Sequence, residues 1–137
     1  MLVLDTDTLT HLLRGQARVA EKSAQATAEV VLTAVTRIEV LQGRFAAVLK
    51  AENGPKLSLA YERLLTTEQD LANFVILPMD AAASARFDEL RQMKRLKMGR
   101  ADLLIAAIVL AHAATLVTRN LKDFCQVPGL QVENWVD

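Results

Sequence analysis

Short segments that are almost wholly apolar recur along this chain and alternate with segments of helical length. The clearest are Leu2–Leu4, Val30–Leu32, Phe74–Leu77 and Leu116–Thr118, and Leu130–Glu133 is a weaker fifth. A strand that lacks the usual alternation of apolar and polar residues is buried on both of its faces. The pattern therefore predicts an α/β/α sandwich, in which helices cover both faces of a short, mostly parallel central sheet.

Two helices are predicted between the second and third strands. Thr36, followed three residues later by Glu39, resembles a capping box that opens a helix through about Leu49. The Asn-Gly-Pro sequence of residues 53–55 is typical of a turn, and the apolar stripe of residues 57–71 predicts the helix that follows.

Two further helices are predicted between the third and fourth strands. Asp80 is placed to cap the first of them, whose apolar side includes Met93 and Met98 and which is expected to end near Gly99. Residues 101–114 then form the most apolar helix of the chain.

The composition is that of a well-packed domain without a strong net charge. Of the 137 residues, 52% are hydrophobic, and 16 basic side chains balance 16 acidic ones. The length predicts one domain over residues 1–137, and the charge balance requires any nucleic-acid contact to come from a local patch. Cys125 is the single cysteine, which excludes an internal disulfide, and the apolar run of residues 103–117 is short for a bilayer span. We therefore expect a cytoplasmic protein that does not insert into a membrane.

Acidic and amide side chains follow the predicted strands or begin the helices next to them. Asp5 directly follows the first strand, Glu39 lies in the first turns of the helix after the second, and Asp102 opens the helix before the fourth. Asn120 and Asp123 follow the fourth strand. Because the carboxyl ends of parallel strands meet at one edge of the sheet, these residues are expected to converge there.

A cluster of carboxylates repels itself unless a cation neutralises the charge. Oxygen ligands are those that Mg²⁺ and Mn²⁺ prefer, and such an ion activates water and neutralises charge on a phosphodiester. The placement of the acids thus favours metal-dependent hydrolysis of phosphodiester bonds.

Each of these residues taken singly also has a plainer interpretation. Asp5 or Asp7 can cap a helix, and Glu39 can be the capping-box partner of Thr36. Asp102 can be an ordinary acid of a first helical turn, although its position beside a strongly apolar stretch favours a functional partner. The two histidines of the chain have no second histidine at ligand spacing.

The stretch RQMKRLKMGR, residues 91–100, is markedly basic and leads directly to Asp102. Such a stretch is usually a solvated helix face. Beside an acidic metal site it can instead hold an RNA backbone, which depends on local rather than net charge. The candidate substrate-binding residues are Lys94, Arg95, Lys97, Arg100 and Arg119.

The stretch VLDTDTL, residues 3–9, is compatible with two enzyme signatures. An apolar run that ends in Asp-x-Asp-x-Thr begins phosphatases of the haloacid dehalogenase type, in which the first Asp is a covalent nucleophile. An apolar run that ends in Leu-Asp-Thr-Asn begins PIN-domain ribonucleases, in which the same Asp holds a metal ion. Asp5 is therefore a phosphoryl acceptor, a metal ligand or merely a helix cap.

Nearly end to end, the sequence resembles the PIN-domain family, specifically the VapC-type toxins of bacterial and archaeal toxin–antitoxin pairs. LDTDTL matches the opening motif, with Asp7 in place of the usual Asn. TAVTRIEVLQG, residues 33–43, resembles the Ser/Thr-x-x-Thr-x-x-Glu-Leu segment with Val40 in place of Leu. RADLLIAA, residues 100–107, carries the third acid, and residues 115–135 resemble the closing segment. The dehalogenase interpretation loses, because it needs a distal acidic pair where this chain has Thr-Arg-Asn.

The resemblance implies a PIN-like α/β/α fold, endoribonuclease activity that depends on Mg²⁺ or Mn²⁺, homodimerisation, and inhibition by a VapB-like antitoxin. By motif position it implies Asp5, Glu39 and Asp102 as the acidic metal-site residues and Asn120 as the fourth catalytic position. Asp123 is expected either to cap the turn that follows Asn120 or to reach the metal only through water, with Phe124 packed beneath it.

Three further points accompany this interpretation. A catalytically weak or inactive PIN-like module, which binds RNA or a protein without cutting, is the alternative, and the retention of all three acids argues against it. The apolar segment from about Phe45 to Leu71 is expected to contact the antitoxin or a second copy of the chain. At Asp7, an ionised carboxylate cannot donate the hydrogen bond that an amide would.

Overall fold

The five predicted strands form one sheet in the computed structural model, which describes residues Met1–Asp137. The strands are β1 (Leu2–Leu4), β2 (Val30–Thr33), β3 (Ile76–Leu77), β4 (Thr115–Val117) and β5 (Gln131–Glu133). Their order is β3-β2-β1-β4-β5, and every neighbouring pair is parallel. The sheet predicted as mostly parallel is therefore parallel throughout.

Seven helices accompany the sheet, and none of them is long and apolar enough to cross a membrane. They are α1 (Thr6–Leu13), α2 (Ala17–Gln25), α3 (Ala34–Lys50), α4 (Gly54–Leu71), α5 (Ala81–Arg91), α6 (Arg100–Ala111) and α7 (Leu121–Phe124).

Successive residues of the central strands belong to two different apolar clusters, one on each face of the sheet. Val3 of β1 packs in a cluster formed mainly with α5 and α6, whereas the adjacent Leu4 packs in a cluster with α1, α2, α3 and α4. Leu116 and Val117 of β4 divide in the same way. Because side chains alternate across a strand, this division places helices on both faces and confirms the three-layer α/β/α sandwich.

Two helix starts differ from the sequence prediction. The N-cap of α3 is Thr33, the last residue of β2, whose hydroxyl accepts the N–H of Thr36 at 3.1 Å. The predicted capping box, with Thr36 as the cap, is therefore wrong. Asn53 caps α4, so Gly54 and Pro55 form its first turn instead of a separate turn. Proline is well suited to that position because it has no N–H to leave unpaired.

The predicted extent of α5 is also wrong, because the helix ends at Arg91 and not near Gly99. Residues 92–99 form an irregular segment, from which Met93 and Met98 still pack against the core. The third strand is shorter than predicted and comprises only Ile76 and Leu77 at the edge of the sheet.

The order of the strands reverses between β1 and β4. From β1 the chain adds β2 and β3 on one side, and it then returns to add β4 and β5 on the other. In open parallel sheets, ligands bind beyond the carboxyl ends of the strands at such a reversal point. The residues directly after β1 and β4 are Asp5 and Thr118, so this pair lies where the fold predicts a ligand site.

Candidate functional site

Asp5 directly follows β1 and is almost fully buried, with 8% of its surface exposed. Its Oδ1 accepts the backbone N–H of Thr8 at 2.8 Å, which makes Asp5 the N-cap of α1. Its Oδ2 accepts a hydrogen bond from the hydroxyl of Thr118 at 2.6 Å. Asp5 is therefore a helix cap, and both of its oxygens are fixed in direction at the reversal point of the sheet.

Thr118 joins the ends of β1 and β4 and is fully buried. Besides donating to Asp5, its hydroxyl accepts the N–H of Asn120 at 3.0 Å. The backbone N–H of Thr118 donates to the carbonyl of Glu133 at 2.8 Å, which ties it to β5. The sequence pattern did not indicate this residue, although a hydroxyl directly after an apolar strand is the available signal.

Glu39 lies on α3 and is half-buried, and its Oε1 accepts the hydroxyl of Thr6 at 2.7 Å. Since Thr33 caps α3, Glu39 is not needed as a capping-box partner, and its carboxylate is directed toward the start of α1. Thr36 is buried beneath this contact, with its hydroxyl 3.1 Å from that of Thr6. Thr6 was not predicted as a partner of Glu39, whereas Thr36, predicted as its capping-box partner, contacts the hydroxyl of Thr6 instead.

Asp102 is half-buried in the first turn of α6, where the helix dipole favours a charged carboxylate. Its pKa is nevertheless raised, first by burial and then by the negative charges of Asp5, Glu39 and Asp123. No hydrogen bond from the protein offsets these effects. Burial and repulsion therefore outweigh the helix dipole, and the three other carboxylates lie close enough to act on Asp102 electrostatically.

Asn120 and Asp123 lie at the start of α7, directly beyond β4. The side-chain amide of Asn120 donates to Oδ2 of Asp123 at 3.0 Å, and both residues are half-buried. No side chain caps α7, so Asp123 does not act as a cap, while Phe124 beneath it is 1% exposed in the core. Asp123 adds to the negative charge around Asp102, and its carboxylate is restrained by the hydrogen bond from the amide of Asn120.

The predicted basic residues lie mainly in the irregular segment after α5. Lys94, Arg95 and Lys97 are exposed there, and Arg100 is the first residue of α6. The guanidinium of Arg100 lies over the ring of Phe87, 5.1 Å from its centroid, which is a cation–π contact. These residues therefore form an exposed basic loop and not the solvated helix face that their spacing suggested.

Two other charged side chains have local partners. Arg119 pairs with Asp137, Nε to Oδ2 at 3.2 Å, so its charge is shared with the C-terminal segment. Asp7 is exposed and lies 3.6 Å from Nε2 of His11, one helical turn along α1. The carboxylate that replaces the usual amide of the motif thus contacts a histidine on its own helix.

The acids do not form a closed metal cage. No three Asp, Glu, His or Cys side chains are arranged as a preformed set of metal ligands. The donor set is nevertheless all oxygen, and Mg²⁺ binds through one or two carboxylates while water and substrate phosphate supply its other ligands. Each carboxylate oxygen of Asp5 retains a second lone pair, and Asp102 accepts no protein hydrogen bond. The residues fit an open site for a hard cation.

A separate groove of about 360 Å³ lies between α1, α3 and α4. Its apolar lining comes from Leu9, Leu13, Val40 and Leu59, and its charged lining from Arg14, Arg44, Arg63, Glu62 and Asp70. None of the clustered acids lines it. The groove is therefore distinct from the surface around Asp5, Glu39, Asp102 and Asp123 (the acidic cleft).

Comparison with known proteins agrees with this architecture. The PIN domain family model matches residues 2–130. Ribonuclease VapC2 of Rickettsia felis is 32% identical over 109 residues, which are 77% of this chain and 74% of that protein. The tRNA(fMet)-specific endonuclease VapC of Salmonella typhimurium is 26% identical over 138 residues, covering 97% of this chain and 96% of that protein.

Among solved structures, a similar chain occurs in the crystal structure of VapBC2 from Rickettsia felis bound to a DNA fragment from their promoter. It superposes with a TM-score of 0.75 at 27% identity and covers 98% of each chain. The agreement of motif order, fold and family match leads to one assignment. The chain belongs to the PIN domain family and groups with its VapC-type ribonucleases.

Proposed function

We propose that this chain is a divalent-metal-dependent endoribonuclease that acts as the toxin of a VapBC-type toxin–antitoxin pair. The observation that carries the proposal is the convergence of carboxylates from separate elements on Asp102 of α6, because Asp5 after β1 and Glu39 on α3 lie close enough to add to the effect of burial in raising its pKa. Such a cluster opposes folding, and a bound cation is what offsets its cost. Membership in the PIN family also removes the phosphatase interpretation of residues 3–9.

The candidate metal ligands are Asp5 and Asp102, and Glu39 and, through water, Asp123 are the further candidates. A bound Mg²⁺ or Mn²⁺ would activate water and neutralise the charge that develops on the phosphodiester. The protein contributes orientation, because Thr118 and the start of α1 fix both oxygens of Asp5. The unpaired carboxylate of Asp102 provides negative charge in the cleft that a cation can use.

The exposed basic loop provides a surface that can hold RNA. Lys94, Arg95 and Lys97 take part in none of the ion pairs of the structure, so their charges are available to phosphates. The N–H of Lys97 donates to Oε1 of Gln126 at 3.3 Å, which brings the loop beside the chain that follows α7. Replacing each of the three by alanine should reduce the salt dependence of binding to single-stranded RNA, by about 0.7 in slope per lost contact. Lys22→Ala on α2 is the control and should leave the slope unchanged.

We also propose that a VapB-like antitoxin binds the groove between α1, α3 and α4 together with exposed apolar side chains of the α3–α4 hairpin. Phe45 and Leu49 of α3 and Tyr61 of α4 are 48%, 85% and 54% exposed. Exposed apolar side chains concentrated on one helical hairpin are typical of an interaction surface. Homodimerisation is proposed as well, and a second copy is the other candidate partner for this surface.

A catalytically weak PIN-like module is the second candidate function. The observation that favours it is Asn120, whose neutral amide stands at the fourth position and is hydrogen-bonded to Asp123. One negative charge fewer lowers the affinity of the cleft for a cation.

The test is cleavage of total RNA by the purified protein with Mg²⁺ or Mn²⁺, and again with a chelator. Wild-type protein should cleave only when metal is present, and Asp5→Asn or Asp102→Asn should abolish cleavage. Asp88→Asn is the matched control, because Asp88 is an exposed acid on α5 paired with Arg91 at 3.7 Å. Cleavage that persists in chelator or in Asp102→Asn would contradict the proposal. RNA binding without cleavage by the wild type would favour the second candidate.

A further inference from the structure

A row of three threonine hydroxyls ends on the carboxylate of Glu39. The hydroxyl of Thr33 lies 3.5 Å from that of Thr36, which lies 3.1 Å from that of Thr6. The Thr6 hydroxyl in turn lies 2.7 Å from Oε1 of Glu39. Thr33 and Thr36 are fully buried, whereas Thr6 and Glu39 are half-buried. The row therefore leads from the interior to the acidic cleft.

The protons of this row have one consistent direction. A hydroxyl carries a single proton, so Thr6 cannot donate to both Glu39 and Thr36. The charged acceptor forms the stronger bond, and 2.7 Å is within the range of about 2.5–2.7 Å for hydroxyl-to-carboxylate bonds. Thr6 therefore donates to Glu39 and Thr36 donates to Thr6, whereas the 3.5 Å contact between Thr33 and Thr36 is too long for a strong hydrogen bond. Each bond polarises the next, which strengthens the final one.

The two ends of the row differ in how firmly they are held. Thr33 is fixed at the end of β2 and accepts the N–H of Thr36 at 3.1 Å, so the inner part is rigid. Glu39 has a flexible side chain, and its carboxylate lies close enough to Asp102 for the two negative charges to repel each other. The hydroxyl of Thr6 holds the carboxylate against that repulsion.

We infer that Thr6 is a positioning residue whose hydroxyl holds the Glu39 carboxylate in the cleft, ready to take part in cation binding. This inference rests on the proposed metal-dependent function. Removal of a group that orients a metal-site carboxylate typically lowers metal affinity by about 10- to 100-fold. The effect should appear in the protein without RNA.

The experiment is calorimetric titration of the RNA-free protein with Mn²⁺. Thr6→Val removes the hydroxyl at similar volume and should weaken binding about tenfold or more, whereas Thr6→Ser should restore it. Thr10→Val is the matched control, because Thr10 lies one turn further along α1 and its hydroxyl bonds only the carbonyl of Thr6, at 3.0 Å. Thr6→Ala serves in place of Thr6→Val if the latter does not fold.

A second comparison separates positioning from a general structural effect. In a Glu39→Gln background, adding Thr6→Val should change Mn²⁺ affinity little, because the bond to the charged carboxylate is already lost. Equal affinity of Thr6→Val and wild type, or an equal effect of Thr6→Val in both backgrounds, would overturn the inference and leave the proposed function standing. If wild-type protein does not bind Mn²⁺ at all, the proposed function fails and the inference fails with it.

Discussion

Replacing Thr118 by valine should lower the free energy of unfolding by about 2–4 kcal/mol in the metal-free protein. The hydroxyl donates to the buried carboxylate of Asp5 at 2.6 Å, and a hydrogen bond to a charged group contributes about 1.5–3 kcal/mol. The same hydroxyl accepts the N–H of Asn120 at 3.0 Å, and a neutral bond contributes about 0.5–1.5 kcal/mol. Thr118 is fully buried, so water cannot replace the lost donor.

Urea denaturation followed by circular dichroism, in the presence of a chelator, measures this loss of stability. In thermal denaturation, the melting temperature should fall by on the order of 10 °C. Thr115→Val is the matched control, since the hydroxyl of Thr115, at the start of β4, has only an exposed contact of 3.5 Å to Gln131. The control should remain within about 0.5 kcal/mol of wild type. If Thr118→Val also remained within that margin, the hydroxyl would not be what stabilises Asp5 in its buried position.

Three further outcomes follow from the geometry of the site and the groove. Asp102→Asn should stabilise the metal-free protein at neutral pH, because burial, and then the neighbouring carboxylates, raise the pKa of Asp102 in the folded state. Because the pKa of Asp102 is raised in the folded state, the stabilisation that its protonated form contributes is fully present below the ordinary pKa of 3.8. That stabilisation is lost as the pH rises through the folded-state pKa. Urea titrations at several pH values should therefore show that the advantage of Asp102→Asn over wild type vanishes in acid. Asn120→Asp should tighten Mn²⁺ binding but destabilise the metal-free protein, because it replaces a 3.0 Å hydrogen bond to Asp123 with two facing carboxylates. Asp123→Asn should change Mn²⁺ affinity little. If Mn²⁺ binding were lost only in Asp123→Asn, Asp123 and not Asn120 would be the residue nearer the metal. Leu13→Glu, in the groove, should prevent co-purification with the antitoxin. Val75→Glu, also at an exposed apolar residue but outside the groove, is the control and should not. Equal antitoxin binding by both variants would argue against the groove as the antitoxin-binding site.

The sheet is predictable from the sequence because its central strands are apolar on both faces, and that pattern has few other structural meanings. The end of α5 is not predictable in the same way. Met93 and Met98 continue the helical spacing and pack against the core, but they do so from an irregular segment. Spacing alone cannot distinguish a helix from a loop that buries the same side chains.

The location of the acids is likewise predictable from the strand ends, whereas their hydroxyl partners are not. Thr6 and Glu39 are 33 residues apart, and Asp5 and Thr118 are 113 residues apart. Which side chains meet over such separations depends on how the helices pack. The choice of Thr33 and not Thr36 as the cap of α3 shows the same dependence, because both residues carry a hydroxyl and only the tertiary structure distinguishes them.

The pairing of β1 with β4 also determines when the acidic site is completed during synthesis of the chain. Leu2 of β1 pairs in register with Thr115 of β4, so β1 acquires this neighbour only after the intervening helices and strands have been translated. Parallel pairing between such distant segments closes a long loop and is slow to form. A nascent chain that already contains Asp5 and Glu39 still lacks Asp102 and the hydroxyl that fixes Asp5. The proposed metal site can therefore be complete only after β4 and Thr118 have been translated.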